Sequence, residues 1–83
     1  MRLDDYLSTV GIVKRRTVAK DLAANRMVEA NGRIVKPSYQ VRLQDIIQIK
    51  GSKPVCIEVL ALPTGSIPKP DRDRYFKRIA LRA

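Results

Sequence analysis

Lys14-Arg15-Arg16-Thr17-Val18-Ala19-Lys20 is the densest cluster of cations in this 83-residue chain, and its chemistry is the capture of an anion. Guanidinium groups fork onto phosphate or carboxylate oxygens, and ammonium groups add point charge. The cluster opens an apolar-periodic segment running to Arg26. As a helix, this segment puts Arg16 and Lys20 on one face and Val18 and Leu22 on another, so one face packs while the other offers charge. Cations at a helix start oppose the macrodipole, and a local rule broken at one place often marks function. An anion removes the conflict, because free backbone N–H groups and guanidinium groups share its oxygens. The competing reading, a solvated charged face, leaves three adjacent cations repelling one another with no acidic partner nearby.

The whole chain repeats that bias. Seventeen Lys and Arg against eight Asp and Glu give +9, and the pI is near 10.3. Residues 1–50 hold ten basic and five acidic groups, and residues 51–83 hold seven and three, so the charge is no appended tail. Such an excess favours a polyanionic partner through Coulomb attraction and counterion release; its alternative is solubility alone. A hydrophobic content of 45% argues for a folded core rather than a disordered chain. Cys56 is the single cysteine and histidine is absent, so neither a disulfide within the chain nor a zinc site is expected, and no cofactor is called for. Apolar runs are far shorter than the roughly 20 residues of a bilayer span. Arg2, Asp4 and Asp5 interrupt any signal-peptide core, which leaves a cytoplasmic protein as the expectation.

The elements that must hold the cluster are legible in order. Leu3, Tyr6, Leu7 and Val10 recur at helical spacing and predict a first amphipathic helix packed on the core. Asp4 and Asp5 fall in its first turn, where carboxylates suit the macrodipole, and Gly11 can end it. The second helix begins between Lys14 and Thr17, with Thr17 a possible N-cap, and ends near Asn25. Asn31-Gly32 between Met27–Ala30 and Arg33–Val35 predicts a two-residue hairpin. Ile46–Ile49 and Val55–Leu60 read as further strands, with Cys56 a packed apolar group in the latter. Beyond Leu62, Pro63, Gly65, Pro68 and Pro70 make a connector. After it, Arg72, Arg74, Lys77, Arg78 and Arg82 surround Tyr75, Phe76 and Ile79, as a short docked helix or as a basic arm that orders on RNA.

Taken together, residues 1–50 resemble the RNA-binding domain named for the fourth protein of the small ribosomal subunit, also called the alpha-L motif. The matching residues are Arg2-Leu3-Asp4, Tyr6-Leu7, Arg16, Ala19, Leu22, Val28, Asn31-Gly32, Val35, Val41 and Asp45-Ile46-Ile47. The runs Lys14–Lys20 and Lys36-Pro37-Ser38-Tyr39 look closest to the small stand-alone bacterial members of its ribosome-quality-control branch, and more distantly to the ribosome-associated heat-shock branch. The resemblance implies an α+β, alpha-L fold: two short N-terminal helices packed on a small antiparallel sheet, with a basic C-terminal extension. Residues 1–60 would form the RNA-binding domain, and residues 61–83 the connector and basic segment. It also implies a monomer that binds large-subunit ribosomal RNA, and tRNA besides, on subunits obstructed by peptidyl-tRNA. Carried over by position, Arg2, Arg16 and Lys20 match basic positions of the motif. Lys14 and Arg15 complete that patch, and Arg26 and Lys36 add further RNA contacts. Arg26 and Gln44 stand where the family usually has glycine, so each must make its turn without one.

Three other functions compete. A ribosome assembly or stress factor shares the same chemistry. An RNA-modifying enzyme lacks support, because the chain has no histidine, no glycine-rich phosphate loop and no evident carboxylate pair. A membrane-surface or protein-interaction module is possible in principle through residues 71–82, which offer few large apolar groups; no membrane partner is expected.

Overall fold

The structure is a computed structural model that describes residues 1–65 and 67–80. Its elements are α1 (Leu3–Thr9), α2 (Arg16–Ala24), β1 (Val28–Ala30), β2 (Arg33–Ile34), β3 (Ile46–Ile49), β4 (Val55–Val59), a 3₁₀ helix (Lys69–Arg74) and β5 (Phe76–Arg78). The strands form one antiparallel sheet in the order β2-β1-β3-β4-β5. This is the expected α+β architecture. No helix of the described residues is long and apolar enough to cross a membrane.

The core follows from the periodicities. Leu3, Tyr6, Leu7 and Val10 are all buried, and they meet Val28, Ile47, Ile49, Ile57, Val59 and Phe76 from the sheet. From α2, the buried residues are Ala19 and Ala23. The expected pairing of Val18 with Leu22 is therefore corrected: Val18 is 46% exposed and Leu22 only half-buried. Two alanines four residues apart let α2 lie close against α1, and that rotation turns Val18 outward. Thr17 is not the N-cap. Arg15 holds that position in extended conformation, without a side-chain cap, and helix geometry starts at Arg16.

Three turns set the loops. Asn31 (φ 54°) and Gly32 (φ 84°) make the two-residue hairpin loop, with positive φ at both positions. Arg26, at φ 61°, closes α2: its N–H donates to the Ala23 carbonyl at 3.1 Å, and Met27 N–H donates to Leu22 at 2.9 Å. That is a Schellman closure with arginine where glycine is usual. Gln44, at φ 70°, is the third residue of the turn Arg42–Asp45, again a position suited to glycine.

The C-terminal segment differs from both sequence expectations. Pro68 caps a single 3₁₀ stretch that carries Pro70 in its first turn, and the chain then enters the sheet, with Phe76 opposite Val59 and Lys77 opposite Glu58. Aromatic Phe76 is buried as a strand residue, and β5 satisfies the backbone groups that the edge of β4 would otherwise leave unpaired. The Tyr6 hydroxyl donates to the Tyr75 carbonyl oxygen at 2.8 Å, tying this segment to α1. Arg82 lies outside the described residues.

Candidate nucleic-acid interface

The first four residues are held by backbone pairing. Val41 N–H donates to the Met1 carbonyl at 2.8 Å, Leu3 N–H to Tyr39 at 2.8 Å, and Asp4 N–H to Pro37 at 3.2 Å. This lays Arg2 beside the loop that carries Lys36. Arg2 is extended and α1 begins immediately after it, so its side chain folds back over the first turn.

There it meets Asp4. Arg2 Nε donates to Asp4 Oδ1 at 3.1 Å and Arg2 Nη2 to Asp4 Oδ2 at 3.2 Å, a fork-on-fork contact. Arg16, entering from the start of α2, places its Nε 3.8 Å from the same Oδ2, an ion pair too long for a hydrogen bond. The Asp4 carboxylate also accepts Asp5 N–H at 2.8 Å, and the residue is 1% exposed. The two arginine side chains remain 44% and 55% exposed. A guanidinium has five N–H donors, so two hydrogen bonds leave Arg2 with donors facing outward. Two guanidinium charges against one carboxylate keep the cluster cationic.

The other sequence-predicted residues fall into separate groups. Lys20 is exposed one turn along α2 from Arg16. Arg26 and Lys36 line one cleft of about 430 Å³ with Ala23, Ala24, Ile34 and Val35. Lys14 and Arg15 rim a different groove of about 560 Å³, floored by Ile12, Val18, Leu22, Ile49 and Val55 and joined by Lys53. Arg2 and Arg16 are thus brought together, as are Arg26 with Lys36 and Lys14 with Arg15; they do not merge into one pocket.

Sequence reasoning missed the part played by Asp4, read as a helix-start carboxylate. The available signal was its place three residues before Leu7, at the edge of the buried stripe, where a carboxylate needs a partner. It also gave little weight to Asn31 and Asp45. Asn31 Nδ2 donates to Asp45 Oδ1 at 3.0 Å, the Tyr39 hydroxyl to Asp45 Oδ2 at 2.7 Å, and Arg42 N–H to Asp45 Oδ2 at 3.0 Å. Burial pushes the Asp45 pKa up, and these three hydrogen bonds outweigh it, holding the carboxyl below its ordinary value. Burial and the bond to Asp45 together raise the Tyr39 phenol. The network braces the loop from Lys36 to Asp45 against the hairpin, and so supports the backbone on which Arg2 rests. Among the described residues no group of acidic, histidine or cysteine side chains is arranged to hold a metal.

Residues 1–47 match the S4 domain family. The RQC P-site tRNA stabilizing factor of Helicobacter pylori is 36% identical over 78 residues, which is 92% of this chain and 93% of that protein. The protein of the same name from Streptococcus pneumoniae is 40% identical over 63 residues, 75% of this chain and 72% of its own length. The trimeric structure of Vibrio cholerae Heat Shock Protein 15 superposes with a TM-score of 0.87 over 96% of this chain and 82% of that one; at 23% identity the likeness is one of fold. The solution structure of a hypothetical protein, HP1423, has a TM-score of 0.81 at 30% identity, covering 99% of this chain and 100% of that one.

Proposed function

The chain belongs to the S4 domain family, and on that premise we propose that it is a non-enzymatic RNA-binding protein of the large ribosomal subunit, acting in rescue or quality control of stalled translation. The observation that carries the reading is the meeting of Arg2 and Arg16 over one buried carboxylate, with both guanidinium groups still open to solvent. Fixed, planar, outward-facing donors suit phosphate oxygens, and A-form RNA is recognised largely through its backbone and shape. The names and coverage of the Helicobacter and Streptococcus relatives support ribosomal RNA and P-site tRNA as the partners, and the cytoplasm as the compartment.

In this reading residues 1–60 make the RNA contacts, through Arg2, Arg16 and Lys20 at the centre, Lys14 and Arg15 on one flank, and Arg26 and Lys36 on the other. Residues 61–83 complete the unit and add positive charge. The protein works as a monomer and turns nothing over.

Co-sedimentation with large subunits tests this. The wild type is expected to pellet with subunits carrying peptidyl-tRNA, and Arg2→Gln or Arg16→Gln to pellet less while remaining folded by circular dichroism. Unchanged pelleting of both variants would remove the assignment of the site. Equal binding to empty and peptidyl-tRNA-bearing subunits would instead favour an assembly or stress role. Turnover of an RNA by the purified chain would overturn the non-enzymatic part.

A further inference from the structure

Asp4 presents a puzzle that the proposed function does not resolve. It puts a negative charge, 1% exposed, directly under the two arginines offered to a polyanion. Electrostatically that is a liability, since each carboxylate near the contact weakens attraction for phosphate. Helix capping does not require it. Asp5, the next residue, also supplies a carboxylate to the first turn, and an asparagine at position 4 would still accept the Asp5 N–H bond.

What only a carboxylate provides is the geometry of the pair. Both oxygens of Asp4 hold Arg2 through Nε and Nη2, so the guanidinium plane is fixed rather than merely tethered. Oδ2, the oxygen that takes Arg2 Nη2, is also the one that Arg16 Nε approaches. Two guanidinium groups that would otherwise repel and splay are drawn to one point, from the starts of two different helices.

We propose that Asp4 is a positioning residue for RNA binding. By fixing Arg2 on both oxygens and drawing Arg16 electrostatically toward one of them, it aims their remaining N–H donors at a single phosphodiester group. Binding then gains from preorganisation, because less side-chain freedom is lost on contact. The inference rests on the RNA-binding reading of this same face.

Asp4→Asn separates this role from simple charge. It raises the net charge from +9 to +10, so attraction alone predicts tighter binding to large ribosomal subunits. Positioning predicts the opposite, a loss of about fivefold or more in affinity. Asp5→Asn is the charge control: among the described residues its carboxylate accepts only a long contact from Thr9 Oγ1 at 3.5 Å and pairs with neither Arg2 nor Arg16, so binding should hold or tighten. A role confined to packing is distinguished by coupling. The Asp4→Asn loss should vanish in an Arg2→Gln/Arg16→Gln background, whereas damage to the fold would persist there. Should Asp4→Asn fail to fold, Arg2→Lys carries the test. It keeps the charge, cannot fork onto both oxygens, and should bind nearly as weakly as Arg2→Gln.

Equal or tighter binding by Asp4→Asn overturns the proposal, as does a loss that survives in the double-arginine background, or wild-type affinity in Arg2→Lys. If the arginine variants weaken binding and Asp4→Asn does not, only the role of Asp4 falls. If the arginine variants themselves bind like wild type, the RNA-binding assignment of the face falls with it.

Discussion

Among the described residues, two besides the turn-adapted Asn31 sit in backbone conformations that their side chains disfavour. Arg26 and Gln44 hold φ of 61° and 70°, and the left-handed region costs an L-residue roughly 1–2 kcal/mol. Glycine removes that strain but adds freedom to the unfolded chain, worth roughly 0.5–1 kcal/mol. Arg26→Gly and Gln44→Gly should therefore each stabilise the fold by up to about 1 kcal/mol in thermal or urea denaturation. They should part company in binding. Arg26→Gly loses a cation of the proposed interface and weakens ribosome association, while Gln44→Gly leaves it unchanged. Asp45 gives a pH signature at the same scale. Its folded-state pKa is depressed, so its contribution is fully present above the unfolded carboxyl value, about 3.9, and fades as pH falls below it. Stability measured from pH 6 down to pH 2 should drop, and Asp45→Asn, less stable at neutral pH, should show a flatter curve.

At the scale of elements, what matters is how the two helix starts come to meet. α1 opens at Arg2 because the chain end pairs with the loop at Pro37, Tyr39 and Val41. α2 opens at Arg16, and its small residues Ala19 and Ala23 let it lie close to α1. Enlarging that seam should separate the helices: Ala23→Leu is expected to cost about 1–3 kcal/mol by overpacking and to weaken binding beyond its effect on stability, because Arg16 moves away from Asp4. The C-terminal strand is secured differently. Tyr6→Phe deletes the hydroxyl bond to the Tyr75 carbonyl, which still accepts from Leu60 N–H at 3.0 Å. The loss should be modest, about 0.5–1.5 kcal/mol, and hydrogen exchange should accelerate first at Leu60, Ala61 and Phe76–Arg78.

For the whole molecule, the decisive quantities are a charge of +9 and dimensions of 30 × 25 × 23 Å. The Debye length near physiological salt is about 8 Å, so cations at opposite ends act independently while Arg2 and Arg16 act as one unit. Some cations are already occupied: Lys50 pairs with Glu29, and Arg74 lies 4.0 Å from Asp71. Ribosome affinity should fall linearly with salt on logarithmic axes, each phosphate contact contributing roughly 0.7–0.9 to the slope. Lys20→Ala should flatten that slope by about one contact. Lys50→Ala should leave it unchanged, since its ammonium group is engaged by Glu29.

The one-dimensional pattern determined much of this. The glycine-less turns at Arg26 and Gln44 were legible only through the family resemblance, whereas helical spacing placed Leu3, Tyr6, Leu7 and Val10 on the core and Asn31-Gly32 fixed the hairpin. These are local properties, set by side-chain period and backbone sterics within a few residues. Tertiary structure decided the rest. Which stripe of α2 faces inward depends on how closely α1 can approach, and that favoured Ala19 and Ala23 over Val18. Whether residues 76–78 form a helix or a strand depended on the free edge of β4. The joining of Arg2 and Arg16 on Asp4 spans two helices and a loop, so no local spacing encodes it; it exists only because a buried carboxylate must find its counter-charges wherever the fold brings them.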